Sequence, residues 1–161
     1  MMKPSRHQAR EVGLQILYQY DFGLQSGGAP PAQTPGQLIE ELNHHFDHFK
    51  VPLELRSFAA ELVAGTLRDV TKLDALLEKH ASNWKIGRMA LVDRCLLRMS
   101  IYELNHFPDT PSSVVIDEAI ELAKQFGTAE SPSFVNGVLD AVKGAVRGTT
   151  KGETRIEKAA K

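Results

Sequence analysis

The strongest constraint on the fold lies in residues 88–107, RMALVDRCLLRMSIYELNHF, which are apolar around most of the circumference of a helix. A helix that is apolar all round has to be buried, so other elements must surround it. Pro108 and Pro111 end the segment, and Thr110 is placed to cap the helix that follows. The segment therefore predicts a central helix in the core of an all-α chain.

The rest of the sequence has helical periodicity and almost no strand signal. Apolar residues recur at three- and four-residue spacing, and no alternating β-branched run is bounded by hairpin turns. Residues 26–36, SGGAPPAQTPG, are rich in Gly and Pro and predict a loop. We expect about six or seven helices, the others lying over residues 5–24, 37–49, 52–79 with a break near Asp69, 114–126 closed by Gly127, and 131–146.

Composition indicates a single globular domain. The chain has 161 residues, of which 42% are hydrophobic and 24% charged, enough for one ordinary core. Its only cysteine, Cys95, cannot form an internal disulfide, which favours a reducing compartment. The N-terminal apolar run is interrupted by Gln15 and Gln19, unlike a signal peptide, and no stretch approaches the roughly 18 apolar residues of a membrane span. We expect a cytoplasmic protein with no membrane segment.

Charge is distributed unevenly along the chain. Residues 1–10 carry a net charge of +3 and residues 143–161 carry +4, which leaves −8 on the remainder of a chain whose net charge is −1. Basic ends on an acidic body are typical of a protein that holds a polyanion at one surface and another partner elsewhere. Solubilisation of the two termini explains the same pattern equally well.

Motifs for catalysis and metal binding are not evident. The sequence has no Gly-rich phosphate loop, no G-x-S-x-G and no H-E-x-x-H. Residues 43–49, NHHFDHF, place His44 and His48 on one helix face, but a metal site needs three or four convergent ligands, so we interpret them as a polar helix end. We expect that the protein is not an enzyme and that it binds neither a metal nor a cofactor. Arg94 and Arg98 lie one turn apart on the apolar helix, and we expect them to pair with carboxylates such as Glu103 and Glu61, the alternative being contact with a phosphate.

Residues 131–142, SPSFVNGVLDAV, combine a helix start with two unexpected features. Ser131 is placed to cap the first turn, and Pro132 sits where a missing N–H costs nothing. Phe134 lies roughly 100° from the core stripe that Val135 begins, so it either wedges between helices or stacks on a ligand. Gly137 allows a backbone to approach closely, and that backbone belongs either to the protein or to a ligand.

Three segments resemble the NusB family of bacterial antitermination factors. Residues 114–142, VVIDEAIELAKQFGTAESPSFVNGVLDAV, are similar to the family's signature block, and residues 93–104, DRCLLRMSIYEL, to its preceding helix. Residues 6–22, RHQAREVGLQILYQYDF, are similar to its first helix, although His7 and Gln8 stand where typical members have more arginine. The resemblance covers roughly residues 5–147 in collinear order.

The resemblance implies an all-helical protein of two packed helical subdomains that is not an enzyme. It implies binding of the boxA element of ribosomal-RNA transcripts together with NusE, a small-subunit ribosomal protein, within the RNA polymerase antitermination complex. Residues 1–147 are then one RNA- and protein-binding domain, and residues 148–161 a mobile basic tail. Some relatives self-associate, so the resemblance leaves both a monomer and a homodimer open for the free protein.

Candidate contacts follow from the residue chemistry and the resemblance together. Single-stranded RNA is bound by aromatic rings that stack on bases and by cations that hold phosphates. The residues expected to contact RNA are Arg6, His7, Arg10, Tyr18, Lys124, Phe126, Ser131, Phe134 and Asn136. The resemblance puts a partner-contacting acid at Asp93, which we expect to face outward and to pair with a basic residue of NusE. The alternative is a helical adaptor that binds only protein and whose basic ends are incidental.

Overall fold

The chain is all-α in the part that the structure, a computed structural model, describes: residues 5–25, 35–81 and 85–147. These residues contain a 3₁₀ turn at Ile86–Arg88 and seven α-helices, and none of them is in a β-strand. The helices are α1 (Arg6–Gln25), α2 (Pro35–His48), α3 (Leu53–Arg68), α4 (Val70–His80), α5 (Leu91–His106), α6 (Ser112–Phe126) and α7 (Ser131–Val146). The predicted all-α fold is confirmed. The predicted tail, residues 148–161, and most of the predicted loop, residues 26–34, lie outside the described residues.

The helices divide into two compact units, Met1–Arg68 and Asp69–Lys161. The division falls at Asp69, where the sequence indicates a break between α3 and α4. The prediction of two helical subdomains is therefore confirmed.

In the first unit, α3 is the helix on which the others pack. Both α1 and α2 contact it. The Tyr20 hydroxyl on α1 donates a hydrogen bond to the Glu41 carboxylate on α2. Burial raises the pKa of Tyr20 well above its ordinary value, and the bond to Glu41 raises it further. The core of this unit is formed by Ala9, Val12, Leu14, Ile16, Leu17, Leu42, Phe46, Val51, Leu55, Phe58, Ala59, Leu62 and Val63.

The turn from α2 into α3 is fixed by backbone geometry and by one arginine. Lys50 adopts a left-handed conformation with φ of 55°, and the Val51 N–H bonds back to the Phe46 carbonyl at 2.9 Å. This is the usual way for a helix to satisfy its last carbonyls, although glycine more often takes the left-handed position. Arg56 donates to the Val51 carbonyl at 2.9 Å and to Asp47 at 2.8 Å, which ties α3 to the end of α2.

In the second unit, α5 is surrounded by α4, α6 and α7. It is buried almost throughout, which confirms the central helix that residues 88–107 predict. Its buried residues are Asp93, Arg94, Cys95, Leu96, Leu97, Met99, Ser100, Ile101, Tyr102, Glu103 and Leu104.

The arginines of this central helix are satisfied inside the unit. Arg98 forms a two-pronged ion pair with Asp74 on α4, through bonds of 2.7 and 2.8 Å. Pairing with a carboxylate is confirmed for Arg98, but the carboxylate belongs to Asp74. Arg94 is buried and donates to the Ile86 carbonyl at 3.4 Å.

The end of α5 is held by a residue from the end of α7. The Arg147 guanidinium donates to the carbonyls of Leu104, Phe107 and Pro108, at 2.7, 3.2 and 3.4 Å. A helix leaves its last four carbonyls without partners in the helix, and Arg147 satisfies two of these, Leu104 and Phe107, together with Pro108 just beyond the helix. Arg147 is thus a structural cation, although the sequence placed it in the basic C-terminal end.

The predicted cap of α6 is wrong. Thr110 closes a turn, with its N–H bonded to the Phe107 carbonyl at 3.0 Å. The residue before α6 is Pro111, whose carbonyl accepts from the N–H groups of Val114 and Val115. A backbone carbonyl in the right place starts this helix without a side-chain cap. The C-terminal end at Gly127 is as predicted.

Candidate nucleic-acid interface

The turn between α6 and α7 is built on a close contact between Gly127 and Ser131. Ser131 is 1% exposed, and its Oγ accepts a hydrogen bond from the Thr128 N–H at 2.9 Å. The prediction that Ser131 caps α7 is wrong, because Ser131 is the first helical residue and Glu130 occupies the cap position. The Glu130 carbonyl accepts the Phe134 N–H at 3.0 Å. An RNA contact by Ser131 stays a prediction; in this structure its hydroxyl orders the turn.

Beyond that turn, α7 presents an exposed sector. Asn136 and Gly137 are exposed and Phe134 is half-buried, while Val135 and Leu139 lie in the core. A Cβ built at Gly137 meets nothing within 4 Å among the described residues. Packing within the described chain therefore does not explain why glycine stands here, and the sector is open to a ligand.

Lys124 and Phe126 lie on the last turn of α6. Lys124 is exposed, and its Nζ lies 3.3 Å from a Glu121 carboxylate oxygen. An exposed helix pair at this spacing contributes about 0.2–0.5 kcal/mol, so it would not prevent Lys124 from binding a phosphate. Phe126 is half-buried. Contacts of both residues with RNA stay predictions.

In the first unit, two arginines share one aromatic ring. The Arg6 and Arg10 guanidiniums lie 4.3 and 5.3 Å from the centroid of the Phe58 ring. The negative face of an aromatic ring attracts cations, which offsets the repulsion between like charges one turn apart. Arg6 is exposed, but Arg10 is only 4% exposed. Burial disfavours the phosphate contact predicted for Arg10, whereas Arg6 is positioned to make one.

His7 and Tyr18 lie on the solvent side of the same helix. His7 is half-buried, with Nε2 at 4.0 Å from a Glu11 carboxylate oxygen. Tyr18 is also half-buried rather than fully exposed, and its ring stacks on Phe22 with centroids 6.1 Å apart. Phe22 is not among the residues predicted from the sequence to contact RNA. A phenylalanine on the polar side of α1 is the feature that would have indicated it.

Asp93 does not face outward, contrary to the prediction. It is the third residue of α5 and is 7% exposed, because α5 is covered nearly all round. Its Oδ1 is buried and has no hydrogen-bond partner among the described residues. Leaving a buried acceptor unsatisfied costs roughly 1–3 kcal/mol; a contact between Asp93 and NusE stays a prediction.

The histidine run does not converge on a metal site in the described part of the chain. His44 and His48 are exposed, and the His45 and His48 rings contact Phe49 with centroid distances of 6.4 and 5.1 Å. Burial lowers the pKa of His45. Within the described residues, no group of three or more His, Cys, Asp or Glu side chains could hold a metal ion. Among those residues, too, no helix is long and apolar enough to span a membrane.

Comparisons with known proteins agree on one class. The transcription antitermination protein NusB of Desulfotalea psychrophila is 46% identical over 138 residues, covering 86% of this chain and 94% of the relative. The protein of the same name from Desulfatibacillum aliphaticivorans is 41% identical over 137 residues, covering 85% and 88%. These relatives place the chain among the transcription antitermination proteins.

The family model and the solved structures identify the family within this class. The sequence model of the NusB family matches residues 7–143. The structure of T. maritima NusB superposes with a TM-score of 0.74 at 27% identity, covering 94% of this chain and 97% of that one. A structure of NusB and NusE in complex with double-stranded RNA superposes with a TM-score of 0.72 at 27% identity, covering 90% and 99%. The chain belongs to the NusB family.

Replacing Gly127 and replacing Gly137 by alanine should change the free energy of unfolding in opposite directions. A Cβ at Gly127 would lie 2.5 Å from Ser131 Oγ and 2.8 Å from the Ala123 carbonyl oxygen, so Gly127→Ala should destabilise by about 1–3 kcal/mol through overpacking. Gly137→Ala meets no neighbour, and replacing an interior helix glycine should stabilise by about 0.5–1 kcal/mol. Urea unfolding of both variants measures the difference. Equal midpoints for the two variants would contradict the close contact at Gly127.

Proposed function

We propose that the protein acts in antitermination by binding boxA-type single-stranded RNA together with NusE, as part of the RNA polymerase antitermination complex. The observation that carries the proposal is the open sector of α7, where Asn136 and Gly137 are exposed and a Cβ at Gly137 has no neighbour within 4 Å among the described residues. Membership of the NusB family supports it, as does the complex of a similar NusB with NusE and RNA. The protein is then a cytoplasmic binding factor without catalytic activity.

The chemistry of the candidate residues suits a single strand. Its bases present faces that stack on aromatic rings, and its phosphates attract cations. On α7, Phe134 offers a half-buried ring next to the exposed amide of Asn136, and on α6 Lys124 offers an exposed ammonium. On α1, Arg6 offers an exposed guanidinium. We propose that residues 1–147 act as one binding domain in which each unit supplies its own contacts.

Replacing Arg6 should affect RNA binding, whereas replacing Arg10 should affect thermal stability. Arg6→Ala should weaken binding to every RNA sequence and reduce the slope of log affinity against log salt by about 0.7, the value for one phosphate on a single strand. Arg10→Ala should leave the slope unchanged and lower the thermal midpoint, since Arg10 is buried beside Phe58. Fluorescence anisotropy at four salt concentrations measures the slope. A loss of about 1.4 in the double variant would restore Arg10 as a phosphate contact.

Phe134 should act through its ring. If the ring stacks on a base, Phe134→Ala should lose about 1–3 kcal/mol of RNA binding. Removal of a fully buried phenylalanine would instead cost about 3–5 kcal/mol of folding stability. Phe134→Tyr keeps the ring and Phe134→Leu keeps only the apolar bulk, so they serve as matched controls. Stacking is ruled out if the leucine variant binds boxA-type RNA as tightly as the wild type.

The buried carboxylate of Asp93 supports a protein contact. Its Oδ1 has no partner among the described residues, and a cation from another chain would satisfy it if the start of α5 rearranged to expose this oxygen. Residues 11–142 carry a net charge of −8, which complements a basic ribosomal protein. A carboxylate in the first turn of a helix also contributes about 0.3–1 kcal/mol to helix stability, so its replacement has to be tested for folding as well as for binding.

Charge reversal at Asp93 should disrupt the NusE contact. Asp93→Lys should weaken NusE binding by several kcal/mol, because a desolvated ion pair becomes a like-charge contact. Asp93→Asn keeps the shape and removes the charge, and Asp117→Lys makes the same charge change at an exposed position of α6. Calorimetry with NusE gives the affinities, and circular dichroism reports folding. Wild-type affinity in a folded Asp93→Lys variant would remove Asp93 from the interface.

The same measurements test the alternative of an adaptor that binds only protein. That alternative predicts that the Arg6 and Phe134 variants bind RNA as the wild type does, while Asp93→Lys still loses NusE. It also predicts equal affinity for boxA-type and scrambled RNA. A wild-type preference for boxA-type RNA that increases when NusE is added would exclude it.

A further inference from the structure

A large aromatic ring is exposed on the solvent side of α1. Phe22 is 53% exposed, and its ring is stacked on Tyr18 with centroids 6.1 Å apart and planes inclined by 19°. The two residues are one turn apart, so their side chains lie about 40° from each other around the helix. Together they form a pair of nearly parallel rings, which we call the Tyr18–Phe22 platform.

Packing among the described residues of the first unit does not account for this platform. The buried residues of α1, among them Ala9 and Ile16, occupy the other side of the helix. At about 100° per residue, Phe22 falls within a sector whose remaining positions are polar. Those positions are His7, Gln8, Glu11, Gln15 and Gln19.

We propose that the Tyr18–Phe22 platform stacks two consecutive bases of a single-stranded RNA, so that Phe22 extends the RNA site by one nucleotide beyond Tyr18. The inference rests on the proposed RNA-binding function, and it adds a contact that no sequence resemblance supplies. Stacking on an aromatic ring suits any base, because every base has a π-face. Phe22 therefore adds affinity at one nucleotide without reading its identity.

The start of α1 is basic, which would attract RNA to this end of the helix. Arg6 is exposed at the start of the helix, within a segment, residues 1–10, whose net charge is +3. The 16 residues from Arg6 to Phe22 correspond to about 24 Å along the axis at about 1.5 Å per residue. At about 100° per residue, Arg6 lies about 160° around the axis from Phe22, so a strand that touches both would have to wind around α1. The Glu11 carboxylate on this path is within 4.0 Å of His7.

The small apolar area argues against a protein in the same place. Protein interfaces have a contiguous buried core that is depleted of charged residues. Here the two rings are bordered by the polar side chains of Glu11, Gln15 and Gln19. Two isolated rings with a polar border match two stacked bases better than the apolar face of a partner helix.

The test combines one protein variant with RNAs that lack single bases. Phe22→Leu keeps an apolar side chain and removes the ring, and Gln19→Ala is a control at an exposed position of the same helix. BoxA-type RNA oligonucleotides with one abasic position at a time are titrated against wild type, Phe22→Leu, Tyr18→Leu and the control. Thermal melting of each variant is recorded, and Phe22→Leu should melt with the wild type because Phe22 is exposed.

Phe22→Leu should weaken binding of intact RNA by about 5- to 150-fold. One abasic position should weaken the wild type by a similar factor and leave the affinity of Phe22→Leu unchanged. The neighbouring position should behave in the same way towards Tyr18→Leu. This pattern identifies which base lies on which ring, and a general loss of stability cannot produce it.

The outcomes separate this inference from the proposed function. If Tyr18→Leu and Arg6→Ala weaken RNA binding but Phe22→Leu does not, the platform is overturned and the function stands. If the wild type binds RNA without preferring boxA-type sequences and Phe22→Leu is still weaker, the platform stands and the boxA preference fails. If the wild type binds no RNA, both are overturned. Loss of NusE binding in Phe22→Leu, with RNA affinity intact, would assign the rings to the protein partner and overturn the proposal.

Discussion

The second unit depends on burying α5 with its polar side chains satisfied. The helix buries Arg94 and Glu103 among three other helices, and Arg98 on the same helix is partly buried. Burying a charge without a partner is costly, so the surrounding helices have to supply partners at fixed positions. Asp74 on α4 does so for Arg98 through two bonds of 2.7 and 2.8 Å. The Arg98–Asp74 pair ties α4 to α5, whereas α7 packs through its apolar side, Val135, Val138, Leu139 and Val142, and leaves its other side exposed.

Most of the candidate ligand-contacting residues are side chains that helix packing leaves outside the core. On α7 the core takes Val135, Val138, Leu139 and Val142, and the exposed side keeps Asn136 and Gly137. On α1 the core takes one side, and the rings of Tyr18 and Phe22 lie on the other. Asp93 is different, because it is buried while its Oδ1 has no partner in the described chain. Open helix sides suit a strand of nucleic acid, whereas an unsatisfied buried oxygen suits a protein surface that excludes water.

Sequence periodicity was sufficient for the helices and for the central position of α5, because a side chain's place on a helix follows from spacing alone. Periodicity did not predict burial where a residue of another helix covers the side chain. Arg10 is buried because Phe58 of α3 lies beside it, which no local pattern reports. Asp93 resembles a solvent-facing acid at a helix start, yet the surrounding helices cover it. The caps expected at Thr110 and Ser131 failed for a related reason, since backbone carbonyls of Pro111 and Glu130 accept the first N–H groups of α6 and α7.

The hold of Arg147 on the end of α5 has a topological consequence. Arg147 Nε and the Leu104 carbonyl are separated by 43 positions in sequence, and the stretch between them contains both α6 and α7. The bond therefore closes this helical hairpin into a loop, as a covalent crosslink would, but with a guanidinium that stays charged at every pH the fold survives. The end of α7 can leave α5 only when these bonds break, and α6, which lies between the two in sequence, is held in the same loop. The exposed side of α7 and the end of α6 should thus detach and reattach together.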